Sequence, residues 1–222
     1  MNILIVAATA FEIQPAIDRL QTTNFRIHEN EFSILITGIG GVATTYQLTK
    51  CLREKKPDHI IQAGIAGSFH TEIIIGSVVC VQEELMGDLG VEEGNEFKDV
   101  FDLALIKENE FPFIGKILKN PFITAQTILG LRLVRSIGIN EITTRRERID
   151  VLRNKYNPDI ESMEGAAFHY VCLQEKIPFL QLRAISNYIG ERNKENWNIK
   201  EAIKTLNTKI MDIAGSSLLQ GC

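Results

Sequence analysis

A chain of 222 residues with 45% hydrophobic content is long enough to bury a sizeable core as one domain. Its formal charge of −4 argues against nucleic acid or an anionic membrane as the principal partner, and no apolar run approaches the length of a membrane span. The four cysteines (Cys51, Cys80, Cys172, Cys222) show no CxxC or paired spacing and read as thiols of a reducing, cytoplasmic compartment.

The opening run is apolar and lacks a basic leader, so Asn2–Ala8 reads as a buried parallel strand rather than part of a signal peptide. Phe11–Leu20 follows with helical period, with Pro15 in its first turn. Glu12 thus falls just past the carboxyl end of the first strand, where open α/β sheets place their ligands. Phe25–His28 and Phe32–Thr37 read as paired strands, then the turn Gly38-Ile39-Gly40-Gly41 leads into a helix over Val42–Lys55. His59–Ala63 reads as a strand running into a small-residue turn, Gly64-Ile65-Ala66-Gly67-Ser68, and Ser77–Gln82 as another strand. Glu83–Pro121 lacks regular period and reads as an excursion that either covers a site or packs on the surface through its phenylalanines.

Phe122–Thr127 is expected to be a strand, Arg145–Lys155 a helix, Asp159–Met163 a short strand and Glu164–Lys176 a helix. A strand over Phe179–Ile185 ends in Ser186-Asn187, and a last helix is expected over Asn196–Leu219. Strands alternating with helices predict a single α/β domain over residues 1–222, a mainly parallel, twisted mixed sheet with helices on both faces.

Glu161 and Glu164 interrupt an apolar run at a strand-to-helix turn. Isolated acids at such a turn ordinarily face solvent. Glu164, however, shares its strand-end position with Glu12 and Asn187, and strand ends of this fold converge. Two carboxylates and an amide suit cleavage of a glycosidic bond: one acid deprotonates water, one steadies the sugar, and a donor eases the base away. Competing chemistries fit less well. Gly38-Ile-Gly40-Gly-Val-Ala43 matches a dinucleotide fingerprint but lacks the acid on the next strand, so it reads as a tight turn and no cofactor is expected. His28, His59, His70 and His169 have no metal-ligand spacing, so no metal is expected. No GxSxG nucleophile turn is present.

These residues also carry a family resemblance. Ser162-Met163-Glu164-Gly165-Ala166-Ala167 and Arg183-Ala184-Ile185-Ser186-Asn187, with Glu12 and the glycine turns, resemble the nucleoside phosphorylase/nucleosidase superfamily. Within it, Asp88-Leu-Gly-Val-Glu92 and Ser186-Asn-Tyr-Ile-Gly-Glu-Arg-Asn193 are most similar to the futalosine hydrolases, which release hypoxanthine from futalosine on the way to menaquinone. The resemblance implies that Glu12 activates the attacking water and Glu164 binds the ribose hydroxyls over Met163. It implies that Asn187 replaces the aspartate by which methylthioadenosine/S-adenosylhomocysteine nucleosidases protonate adenine, and that Thr127 and Ile128 line the base pocket, with Ser186 and Gly67 also at the substrate. It further implies a homo-oligomer. An amide cannot hand over a full proton, which favours a 6-oxopurine base. Glu12 in the first strand-to-helix turn would repel phosphate, which favours water as the nucleophile. A methylthioadenosine/S-adenosylhomocysteine nucleosidase and a non-catalytic nucleoside-binding protein are the alternatives. Futalosine's distal carboxylate is expected to meet a cation, with Arg132, Arg135 and the Arg145/Arg146 pair as candidates.

Overall fold

The computed structural model describes residues 1–94, 96–123, 130–191, 195 and 197–216. It is an α/β domain with strands β1 (Asn2–Ala7), β2 (Arg26–Ile27), β3 (Asn30–Ile36), β4 (His59–Ser68), β5 (Val78–Met86), β6 (Gly90–Glu93), β7 (Glu96–Asp99), β8 (Leu118–Lys119), β9 (Arg132–Gly138), β10 (Ile160–Ser162) and β11 (Phe179–Tyr188). Its helices are α1 (Ala10–Gln21), α2 (Gly41–Glu54), α3 (Arg146–Tyr156), α4 (Gly165–Glu175) and α5 (Ile199–Ala214).

The main sheet runs β10-β9-β5-β11-β4-β1-β3-β2, with β8 added beside β5. The pairs β1–β3, β1–β4, β4–β11, β5–β9 and β9–β10 are parallel. The sheet is not simply open: β10 also pairs antiparallel with β4, so β4, β11, β5, β9 and β10 close on one another. Each of these five strands contributes to one apolar cluster, through Ala66, Val79, Val81, Val134, Ile160 and Ile185. Outside it, Ile13 and Leu20 of α1 pack with Leu206 and Ile210 of α5 on one face. Leu48 and Leu52 of α2 pack with Phe168 and Phe179 on the other. Burial of such side chains, worth about 1.5–3 kcal/mol each, fixes where each helix begins and so where its first turn points.

Three local expectations are corrected, and one strand comes without having been expected. Gly64–Ser68 is strand rather than turn, because β4 is paired there to β11 on one edge and to β10 on the other. The small residues bring neighbouring side chains close instead of bending the chain. β9 was not anticipated, because its two arginines break the apolar pattern; Arg135 pairs with Glu83 at 2.7 Å and Arg132 lies 3.6 Å from Asp159. The expected strand at Phe122–Thr127 has turn and coil at 122–123, and its remainder lies outside the described residues. The last helix starts at Ile199, leaving Trp197 ahead of it.

Among the described residues the Glu83–Pro121 excursion holds the end of β5, the β6–β7 hairpin and β8. It is anchored by Phe97 against α3 and by Phe101 and Phe113 against α4. Among the described residues no helix is long and apolar enough to cross a membrane.

Candidate active site

The strand ends open into a cavity of about 270 Å³. Glu12, Gly67, Met163, Glu164, Ser186 and Asn187 all line it, so six of the eight expected site residues meet in one place. The other two, Thr127 and Ile128, lie outside the described residues.

Glu12 owes its position to the start of α1. Thr9 is the N-cap residue, and its backbone N–H and hydroxyl donate to Glu12 Oε2 at 3.1 and 3.0 Å. Ile65 N–H of β4 donates to the other oxygen at 3.1 Å. The helix behind is spliced to α5: buried Asn207 accepts from Ala16 N–H at 2.9 Å and donates to Glu12 C=O at 2.8 Å. Its side chain thus binds both backbone groups of an i, i+4 pair of α1.

Glu164 sits just before α4. Its Oε1 accepts from Gly40 N–H at 3.0 Å, and its Oε2 faces Arg183 Nη1 at 3.4 Å. Gly40 has φ of 89°, a left-handed conformation that glycine adopts freely. The turn that resembled a dinucleotide fingerprint therefore aims an N–H at a carboxylate.

Arg183, present in the motif but given no role by the sequence, is a further component of the site. Only 1% exposed, it donates to Gln62 Oε1 at 3.1 Å and to Ile65 C=O at 3.4 Å besides facing Glu164. A Cβ on Gly64 would stand 2.5 Å from Arg183 Nη1 and 3.0 Å from Glu12 Oε1, so a bare residue is needed there. The available signal was one arginine inside the apolar strand Phe179–Ile185. A charge so placed needs partners.

Asn187 follows a bulge in β11 between Ile185 and Asn187, which turns Ser186 and Asn187 together toward the cavity. Ser186 Oγ donates to Asn187 Oδ1 at 2.8 Å, and Asn187 Nδ2 donates to Tyr188 C=O at 3.1 Å. Glu161 does not face solvent as expected of such a turn. It is 5% exposed, lines the cavity, and accepts from Thr143 N–H at 3.2 Å. Burial pushes its carboxyl up to about 7, against the pull of Thr143.

The walls are apolar: Phe11, Ile39, Ile142 and Trp197 line the mouth, and Trp197 Nε1 donates to Glu191 C=O at 3.1 Å. Neither Arg132 nor Arg135 lines it. Arg145 lines a neighbouring groove that shares Ile139 and Ile142 with the cavity. No described residue of the excursion reaches the cavity; Asp88, Glu92 and Phe97 line the groove instead. Among the described residues no group of three or more His, Cys, Asp or Glu could hold a metal ion.

The geometry suits hydrolysis at a sugar carbon. Two oriented carboxylates, Glu12 and Glu164, and the amide of Asn187 border one cavity. Comparisons with known proteins agree. The model of the phosphorylase superfamily matches residues 3–217. Futalosine hydrolase of Thermus thermophilus is 31% identical over 177 residues, 79% of this chain and 77% of that protein. A 5′-methylthioadenosine/S-adenosylhomocysteine nucleosidase of Bacillus cereus is 25% identical over 89% of this chain and 90% of its own. The native structure of Helicobacter pylori futalosine hydrolase superposes with a TM-score of 0.76 at 18% identity, covering 96% of this chain and 97% of that one. With a family match along nearly its whole length and relatives that are nucleosidases, this chain belongs to the phosphorylase superfamily, as one of its N-glycosyl hydrolases.

Proposed function

We propose that the enzyme hydrolyses futalosine to hypoxanthine and dehypoxanthine futalosine, in the cytoplasm, as a step toward menaquinone. The observation that carries the reading is the neutral amide of Asn187 in the cavity that Glu12 and Glu164 share. Adenine leaves readily once an acid protonates it. A 6-oxopurine accepts hydrogen bonds from an amide at N7 or O6, and in this reading Asn187 is that donor. The Thermus relative named futalosine hydrolase supports the same substrate.

In this reading Glu12 draws a proton from water as the water oxygen attacks C1′. Glu164, steadied by Gly40 N–H and Arg183, binds the ribose hydroxyls, and Met163 packs beneath the sugar. Phosphorolysis is disfavoured by the carboxylate of Glu12 where a phosphate would approach. Ile39, Val42 and Tyr46, 64, 85 and 64% exposed at the start of α2, form an apolar strip that supports a homo-oligomer.

A product assay tests the reading: hypoxanthine from futalosine against adenine from methylthioadenosine, each without and with phosphate. Futalosine turnover independent of phosphate is expected. Faster adenine release would give the enzyme to the methylthioadenosine/S-adenosylhomocysteine nucleosidases. Binding without multiple turnover would make it a nucleoside-binding protein. Light scattering at micromolar concentration checks the assembly, and a monomer would remove the oligomer.

A further inference from the structure

Hydrolysis of a purine nucleoside leaves an electron pair on the base, and a neutral product needs a proton that Asn187 cannot give. The cavity holds one carboxyl for which the proposed mechanism has no use. Glu161 of β10 pairs with Gly67 of β4, and Gly67 pairs on its other edge with Asn187 of β11. The three form a row across adjacent strands, so the α-carbons of Glu161 and Asn187 are separated by two strand spacings, about 10 Å. All three line the cavity. The acid and the amide therefore border one cavity from either side of a residue with no side chain, with Ile189 Cδ1 lying over Gly67, 2.5 Å from where a Cβ would stand.

Glu161 is also incomplete. Thr143 N–H answers Oε1, but the buried Oε2 has no partner among the described residues. A buried oxygen left so is costly unless the group is neutral or a ligand meets it. The neighbouring charges are engaged or turned away. Glu12 is bound by Thr9 and Ile65, and Glu164 faces Arg183. On the elements packed against it, Arg135 of β9 turns to Glu83, while Glu141, Arg145 and Arg146 are exposed to solvent.

We propose that Glu161 is the acid that protonates the departing purine. As the bond from C1′ to the base breaks, its electron pair passes to the ring. The Glu161 O–H bond breaks and its proton goes to a ring nitrogen. The water oxygen bonds C1′, and the water's proton goes to Glu12. Glu161 ends as carboxylate and Glu12 as acid, and exchange with solvent resets both. This rests on the reading of the cavity as a purine-nucleoside hydrolase site and deepens it. A carboxyl that burial raises to about 7 is still substantially protonated near neutral pH.

The test compares two leaving groups in the wild type and Glu161→Gln. Glutamine keeps an acceptor for Thr143 N–H but has no proton to transfer. On the purine nucleoside the variant is expected to lose about 10²-fold or more in kcat/KM. On p-nitrophenyl riboside, whose phenolate leaves unprotonated, it is expected to stay within a few-fold of wild type. A second readout needs no artificial substrate: wild-type kcat/KM on the purine nucleoside should fall as pH rises through about 7, and the variant should lose that limb. Equal losses on both substrates, an unchanged purine rate, or a retained limb would overturn the proposal. Failure of the substrate reading is distinct: the wild type would then release adenine from methylthioadenosine but no hypoxanthine from futalosine. The leaving-group comparison is in that event made on methylthioadenosine.

Discussion

Asp99 and Asp102, in the excursion, have every carboxylate oxygen answered, whereas the cavity acids keep capacity for a ligand. Asp99 Oδ1 accepts from the N–H groups of Phe101 and Asp102, and its Oδ2 from the Tyr156 hydroxyl. Lys116 and Lys155 bind Asp102 from either side, with Lys116 3.7 Å and Lys155 3.4 Å from Asp99. In the cavity, Glu12 and Glu164 are gripped mainly by backbone N–H groups yet still line open space, and Glu161 Oε2 has no partner among the described residues. The first arrangement spends its acids on holding the excursion to α3. The second orients its acids and leaves them lining open space. Perturbed acids alone would not separate them, since both regions contain shifted groups. Satisfaction separates Asp99 and Asp102 from Glu161, although Glu84 Oε2, buried outside the cavity, also has no partner among the described residues.

The largest expected effect is on activity. Glu12→Gln removes the proposed base and is expected to lower kcat by roughly 10²–10⁴. Its fold should cost about 1 kcal/mol, a melting shift of about 2–4 °C. Hypoxanthine release and a thermal melt on one preparation check both, and a near-normal rate would take Glu12 out of the reaction. Glu84 breaks the comparison from a third position, because it is a fully buried acid outside the cavity. Gln181 Nε2 donates to its Oε1 at 2.8 Å. Burial pushes its carboxyl from 4.5 up to about 7, against the Gln181 bond and the charge of Arg183. A raised carboxyl stabilises the fold below its unfolded value, and that contribution is lost as pH rises through the folded one. Glu84→Gln should therefore gain on the wild type by roughly 3 kcal/mol between pH 4.5 and pH 8. Urea melts at the two pH values measure it; a constant difference would mean that Glu84 does not titrate in this range.

Asn187→Asp sharpens the cavity side. An aspartate restores an acid that can protonate adenine, so the ratio of adenine release to hypoxanthine release should rise about 10-fold or more. An unmoved ratio would show that base choice is made elsewhere in the pocket.

Much of this was legible in the sequence because it is carried by local pattern. The apolar run before Glu12, the helical period after it and the acid ahead of α4 each follow from neighbouring residues, and the structure places them as expected. The missing pieces depend on partners distant in the chain. Asn207 binds the backbone of α1 from α5, 191 positions from Ala16, and reads in sequence as one polar residue in an amphipathic helix. Glu161 resembles any exposed turn acid until β4 and β9 close around its strand. β9 itself was hidden because Arg132 and Arg135 find acids contributed by other elements. Closure of the five strands could not be read from alternation, since the β10–β4 pairing joins segments about ninety residues apart.

The smallest expected effect belongs to the satisfied cluster. Asp102 is partly buried, which alone would raise its carboxyl, but bonds from Lys116, Lys155 and the Asp99 N–H hold it well below the usual aspartate range. A depressed carboxyl contributes stability above its unfolded value and loses it as pH falls through the folded one. Asp102→Asn should cost about 1 kcal/mol near neutral pH, since its lysine partners are themselves partly exposed. Wild type and variant should converge as pH drops below the ordinary aspartate value of 3.8. Its kcat should match wild type, because no described residue of the excursion lines the cavity. Thermal melts across that acid range, paired with a rate at neutral pH, separate the two roles. A variant that keeps its stability but loses turnover would place this cluster in the service of the active site and erase the distinction between the two ways of holding an acid.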